Sequence, residues 1–232
     1  MNNTGIEWCT HTWNPITGCL FGCVYCYARE VAHRFPAAFP NGFQPTFHEN
    51  RLLDVNPNQK PRHIFVGSMT DMFGLGIHQD WTRRVFMAME SAPQHTYTIL
   101  TKQPACLPFK GDPSLPYVKH LQIGTSITGR LDEEEASRLC ALDAQAPTDC
   151  NTIVSLEPYL TQMNPADFER FFAHPIHWLI IGGQTGRKSF QPPLEWLTPL
   201  VDWSHERGVP VFVKNNCKLL GMPQEFPERV PR

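Results

Sequence analysis

The 232 residues carry 20 Lys and Arg against 22 Asp and Glu, a formal charge of −2, with 41 % hydrophobic and 18 % charged residues. That composition excludes a disordered or collagen-like chain, and it lacks the basic excess that phosphate-binding surfaces usually leave. No apolar run reaches the roughly 18 residues of a spanning helix, and the start Met1-Asn2-Asn3-Thr4-Gly5 shows neither the basic stretch nor the apolar core of a signal peptide. These features predict a soluble protein, off the membrane, folded as a single domain over 1–232.

In chain order the first feature is a triplet of cysteines. Cys19, Cys23 and Cys26 read CxxxCxxC, and Tyr27, Ala28, Val31, Ala32 and Phe35 follow at helical spacing. A disulfide framework would spread its eight cysteines through a small secreted chain, so this crowding points to metal binding or catalysis in a reducing compartment. From residue 60 onward, short apolar or β-branched runs at 63–66, 96–100, 121–124, 152–156, 178–181 and 211–213 suit buried parallel strands.

Helix signals alternate with these runs. Asp80 caps a pattern carrying Trp81, Val85, Phe86 and Met89, and Asp132 with Glu135 forms a capping box ahead of Leu139 and Leu142. Asn164-Pro165 and Thr198-Pro199 each set a cap residue before a proline at the first helical position, while Arg207-Gly208 ends a helix. Pro104, Pro108, Pro113 and Pro116 predict a loop between Leu100 and Leu121. The alternation means an α/β fold, a parallel sheet with right-handed crossovers over 60–217, and leaves open a doubly wound sheet or a whole or partial barrel. Polar and glycine residues follow the strands, at Gly67-Ser68-Met69-Thr70-Asp71, Thr101-Lys102, Thr125-Ser126, Glu157, Gly182-Gly183-Gln184-Thr185 and Lys214-Asn215-Asn216. Parallel folds build their sites at those strand C-terminal ends.

The triplet carries the most specific chemistry. Three thiolates on one loop, 9–29, can ligate three irons of a [4Fe–4S] cluster and leave the fourth open to a substrate or cofactor. Gly18 and Gly22 suit a loop wrapped closely on an inorganic core, and Phe21 and Tyr25 would shield it. Zinc held by the triplet with Cys9 or His11, or thiols that are merely structural, are the other readings.

The stretch Cys23-Val24-Tyr25-Cys26-Tyr27-Ala28-Arg29 resembles the radical S-adenosylmethionine enzymes, in particular the spore photoproduct lyase branch. Nearly the whole chain is similar to a phage and prophage family of three-cysteine, radical S-adenosylmethionine-like proteins of unknown function. The matching stretches are Ile6-Glu7-Trp8, Thr12-Trp13-Asn14-Pro15 through Gly18-Cys19, Phe65 to Phe73, Ile99 to Lys102, Gly124-Thr125-Ser126, Ser155 to Leu160, Trp178 to Gly183 and Val211 to Lys214. The chain departs from its relatives at Gln103, Gln184 and Asn215, where they often carry Arg, Glu and Gln. Its three-residue gap between the first two cysteines is shorter than in many of them.

The resemblance implies a partial (β/α) barrel of radical S-adenosylmethionine type, with a first strand near Ile6 to Trp8 and the site at the strand C-terminal ends. It implies a [4Fe–4S] cluster on Cys19, Cys23 and Cys26, S-adenosylmethionine as the second cofactor, and its reductive cleavage followed by hydrogen abstraction from a substrate. Tyr25, Gly67, Ser68, Thr70, Asp71, Thr125, Ser126, Glu157, Gly182 and Gly183 would contact the cofactor, with Lys102, Glu157 and Lys214 in catalytic roles. Trp13 and Asn14 would line the substrate side or anchor the loop. The expected partners are an external one-electron reductant of flavodoxin or ferredoxin type and a DNA base or nucleotide as substrate, in the cytoplasm of a bacterium or bacterial host. A non-catalytic iron–sulfur or zinc-binding phage protein is the alternative.

Overall fold

A computed structural model of the chain describes residues 1–112, 114–186 and 188–228; Pro113, in the predicted proline-rich loop, lies outside them. The elements in chain order are β1 (Asn2–Asn3), β2 (His11–Trp13), β3 (Ile16–Thr17), α1 (Tyr27–Arg34), β4 (Thr46–Phe47), β5 (His63–Val66), α2 (Gln79–Glu90), β6 (Thr96–Thr101) and β7 (Leu121–Ile127). Then follow α3 (Glu133–Gln145), β8 (Asn151–Leu156), α4 (Phe168–Phe171), β9 (Trp178–Ile181), α5 (Leu194–Glu206) and β10 (Val211–Val213). No described helix is long and apolar enough to cross a membrane.

The main sheet runs β1-β2-β5-β6-β7-β8-β9-β10, and every pairing except the antiparallel β1 with β2 is parallel. From β2 onward the chain steps sideways in one direction at every crossover. A doubly wound sheet reverses direction part-way, so that alternative falls. The sheet is open, with β1 and β10 at its edges.

Right-handed crossovers that always step the same way place the helices on one face. Packing bears this out. Ile64, Val66, Tyr97, Ile99 and Ile123 point out toward Val85, Phe86 and Met89 of α2, while Val154, Leu156, Leu179, Ile181, Val211 and Val213 pack with Leu139 of α3 and Leu197 and Leu200 of α5. The alternate residues, Ile153, Trp178, Ile180 and Phe212, with Phe65 and Leu100 packed against them, face the other way around Trp8. Each strand therefore sends one set of side chains to the helices and the other to a helix-free face, as the period of two requires.

Four sequence expectations change. The first parallel strand is His11–Trp13, which pairs with β5, whereas Ile6 to Trp8 forms a turn whose Trp8 is buried against Phe65 and Trp178. Thr125 and Ser126 lie within β7 and not after it. Asp80 falls in the first turn of α2, where its charge suits the helix N-terminus, and the cap position belongs to His78. Pro199 sits inside α5, which begins at Leu194 behind Pro193; the buried stripe of Leu197, Leu200 and Ser204 outweighs the missing proline N–H.

Asp132 does cap α3, accepting from the Glu135 amide at 3.0 Å, and Asn164 caps the 3-10 turn Pro165–Asp167. The capping box is not reciprocal. Glu135 turns instead to the Thr128 amide and hydroxyl and the Leu131 amide, fixing the loop between β7 and α3.

Candidate functional site

The cysteine loop is fastened to the sheet by backbone hydrogen bonds. The Gly18 amide donates to the Met69 carbonyl at 2.9 Å, the Cys19 amide to the Phe43 carbonyl at 3.0 Å, and the Thr70 hydroxyl to the Gly18 carbonyl at 2.6 Å. Gly18, at φ 87°, lies so close to the next segment that a Cβ there would stand 2.1 Å from the Gln44 carbonyl oxygen. Gly22, at φ 84°, would meet only the Leu20 carbonyl oxygen, at 4.0 Å, and is needed for its left-handed backbone.

Amide groups point at two of the thiols. Phe21 N–H donates to Cys19 Sγ at 3.4 Å, and Arg29 N–H donates to Cys26 Sγ at 3.4 Å, where Cys26 caps α1. Such donors, and a helix N-terminus, favour a thiolate ligand. Burial raises the Cys19 and Cys23 thiols, opposed by the Phe21 amide at Cys19 and by the Lys102 charge at Cys23.

A cavity of about 350 Å³ lies between this loop and the C-terminal ends of β5 to β10. Cys19, Cys23, Cys26 and Tyr25 line it from the loop; Gly67, Ser68, Thr70, Asp71, Lys102, Ser126, Glu157, Gly183 and Lys214 line it from the sheet. The expected residues are thus brought together, with four exceptions. Trp13 is wholly buried in the core on the helix side, with Nε1 donating to the Arg51 carbonyl at 2.8 Å. Asn14 ties two loops, donating to Ser68 Oγ at 3.0 Å and accepting from the Met69 amide at 2.9 Å. Neither lines the cavity; of the two roles expected for them, Trp13 packs in the core and Asn14 anchors the loop. Thr125 is buried beneath the rim, donating to the Thr101 carbonyl at 2.7 Å, and Gly182 lies under the Glu157 and Lys214 side chains, 3.1 Å from each at its Cβ position.

Asp71 is heavily engaged. It accepts from Thr101 Oγ1 at 2.6 Å, the Lys102 amide at 2.8 Å and the Phe73 amide at 3.3 Å, so it locks the loop after β5 to the end of β6. Lys214 Nζ donates to Glu157 Oε1, forming a half-buried ion pair on the rim. Two cations cover the aromatics of the loop: Lys102 Nζ lies 5.5 Å from the Tyr25 ring centre, and the Arg138 guanidinium 5.0 Å from that of Phe21.

The sequence reading missed Ser155, which lines the cavity, and Trp8 and Phe65, which floor it. Period two could have found Ser155, since it lies two residues before Glu157 on the same strand face. Trp8 sits outside any regular element and gave no periodic signal. A larger cavity, about 870 Å³, opens at the opposite end of the strands among Gln122, His177, Trp203 and their neighbours, and holds none of the expected residues.

Whether the donor set suits a metal depends on its nuclearity. Among the described residues no three His, Cys, Asp or Glu side chains form a group that could hold one metal ion. A mononuclear zinc needs every thiolate about 2.3 Å from a common centre. A cluster attaches each thiolate to a different iron, and Cys19, Cys23 and Cys26 all line one cavity.

Fold and site together define a singly wound parallel α/β protein with a cysteine-lined cavity at the strand C-terminal ends. A family model described as "Protein of unknown function (DUF5131)" matches residues 3–222, and the chain belongs to that family. Among solved structures it is similar to a spore photoproduct lyase complexed with dinucleoside spore photoproduct, with TM-score 0.55 and 9 % identity, over 86 % of this chain and 75 % of that one. That likeness is one of fold. No curated protein matches.

Proposed function

We propose that the protein is a radical S-adenosylmethionine enzyme folded as one partial (β/α) barrel domain, with Cys19, Cys23 and Cys26 holding a [4Fe–4S] cluster. The observation that carries this reading is the meeting of all three thiols with the C-terminal ends of β5 to β10 on one cavity. The fold likeness to spore photoproduct lyase supports it. When bound, the cluster and S-adenosylmethionine supply reductive cleavage of the sulfonium and hydrogen abstraction from a substrate.

The chain's own residues bind and orient. Gly67, Ser68, Thr70 and Asp71 fasten the cysteine loop to the sheet and frame the place of the cofactor's amino group. Ser126 offers a hydroxyl to the ribose, Thr125 supports it from below, and Gly182 and Gly183 keep the backbone low on that side. Glu157 and Lys214 neutralise each other and present one acceptor and one donor at the rim, and Tyr25 closes the loop side under Lys102.

A cavity of about 350 Å³ is at the small end of ligand sites, with room for one compact molecule, so the substrate approaches at the mouth. Among the described residues the lining holds Lys102 and Lys214 against Asp71 and Glu157. That balance suits an exposed base or a nucleotide better than a phosphate-dense duplex. The electron comes from an external reductant of flavodoxin or ferredoxin type in a reducing cytoplasm.

The test is anaerobic reconstitution with iron and sulfide, then incubation with dithionite and S-adenosylmethionine. We expect about four irons per chain and formation of 5′-deoxyadenosine, both lost in Cys19→Ala, Cys23→Ala and Cys26→Ala. One zinc per chain with no 5′-deoxyadenosine would instead support a non-catalytic metal protein.

A further inference from the structure

We propose that Arg138 and Lys102 form a cationic clamp on the cysteine loop that raises the reduction potential of the cluster bound there. The proposal rests on the cluster reading above. Phe21 and Tyr25 flank Cys23 at two residues on either side, and each ring carries one cation on its face: Arg138 on Phe21 at 5.0 Å and Lys102 on Tyr25 at 5.5 Å. The two cations come from different elements, Arg138 from α3 and Lys102 from the end of β6. Their convergence on one cysteine is therefore a product of the tertiary fold.

Arg138 is buried to 8 % exposure, which is costly for a guanidinium without compensation. Its partners leave much of the charge in force. One nitrogen donates to the Ser126 carbonyl at 3.3 Å, and another pairs with Glu134, whose side chain is 65 % exposed and screened by water. The buried carboxylate nearby, Glu135, accepts from the Thr128 and Leu131 donors and makes no ion pair with Arg138 among the described residues. Lys102 makes no ion pair among the described residues. Lys102 also lines the cavity that Cys23 lines, so one of the two cations faces the place where the cluster would sit.

Reduction adds one negative charge to a cluster already ligated by thiolates. A fixed positive charge in a partly buried site favours that reduced state, and charge and exposure are among the levers that set cluster potentials. The clamp would thus ease the electron transfer on which the proposed chemistry depends.

An EPR-monitored redox titration of reconstituted protein tests this, with iron content measured on every sample. Arg138→Met and Lys102→Met should each lower the reduced-to-oxidised ratio about tenfold at the wild-type midpoint, about 59 mV downward for one electron, at full iron content. Arg138→Lys, which keeps the charge but not the planar stack, should stay near the wild type. Unchanged midpoints in both Met variants would overturn the clamp, as would an Arg138→Lys shift as large as that of Arg138→Met, since packing would then be the cause. Lys102→Met carries the test alone should Arg138→Met fail to fold. Absence of iron from the wild type would remove the cluster reading itself, a result distinct from an intact cluster with unmoved potentials.

Discussion

His63 stands at the N-terminal end of β5, fully buried beside Trp8 and Trp178, and its ring nitrogen Nε2 lies 2.7 Å from Thr98 Oγ1. Thr98 donates its own proton to Gln122 Oε1, so Nε2 is the donor. Burial lowers its pKa from 6.5 to about 4. A lowered folded value means that the unfolded chain binds the proton more readily. The stabilisation is complete above pH 6.5 and is lost as pH falls toward 4, by about 3 kcal/mol in all. Urea unfolding at pH 7 and pH 4.5 should show that loss in the wild type and a flatter profile in His63→Gln; equal pH slopes would contradict the assignment. Asp71 belongs to the same scale. Asp71→Ala strands three donors and should cost about 2–3 kcal/mol of stability, whereas a residue serving ligand alone would leave the apoprotein's unfolding midpoint unmoved. Its tie to Thr101 and Lys102 was illegible in the sequence, because a loop carboxylate's partners lie across the fold and not along the chain.

At the scale of elements, the strands were legible and the ends of helices less so. All six predicted strand runs are present, since β-branched stretches of that length have few other ways to be buried. The start of α5 was misread because the pair Thr198-Pro199 imitates a helix beginning, while the apolar spacing through Leu197 and Leu200 extends it backward to Leu194. Thr198 Oγ1 donates to the Leu194 carbonyl at 3.1 Å, inside the helix. Pro199→Ala restores one helical donor and should raise stability by about 1–3 kcal/mol, read as a higher urea midpoint. No gain would mean that the helix is already distorted around the site. The cysteine loop gives a paired prediction. Gly18→Ala drives a Cβ into the Gln44 carbonyl and should destabilise the fold and reduce iron retention, while Gly22→Ala meets only the Leu20 carbonyl oxygen, at 4.0 Å, and should cost only about 1–2 kcal/mol of backbone strain.

For the whole molecule, the order of strands decides what the face can do. Seven parallel strands laid down in sequence put α2, α3 and α5 on one face and leave the alternate side chains on the other, from His63, Thr98 and Gln122 at one end to Lys102, Glu157 and Lys214 at the other. The sequence showed that polar residues collect after the strands, and period two then places them on one face. It could not show that the cysteine loop folds back over that face, since the contacts of Gly18 with Met69 and Cys19 with Phe43 depend on a pairing between distant segments. Sheet and loop meet in the cavity, where the proposed iron–sulfur cluster with one open iron would sit. Electron paramagnetic resonance of anaerobically reconstituted, dithionite-reduced protein, with and without S-adenosylmethionine, tests this most directly. A reduced [4Fe–4S] signal that changes when S-adenosylmethionine is added is expected. Zinc in place of iron, or a cluster signal indifferent to S-adenosylmethionine, would contradict it.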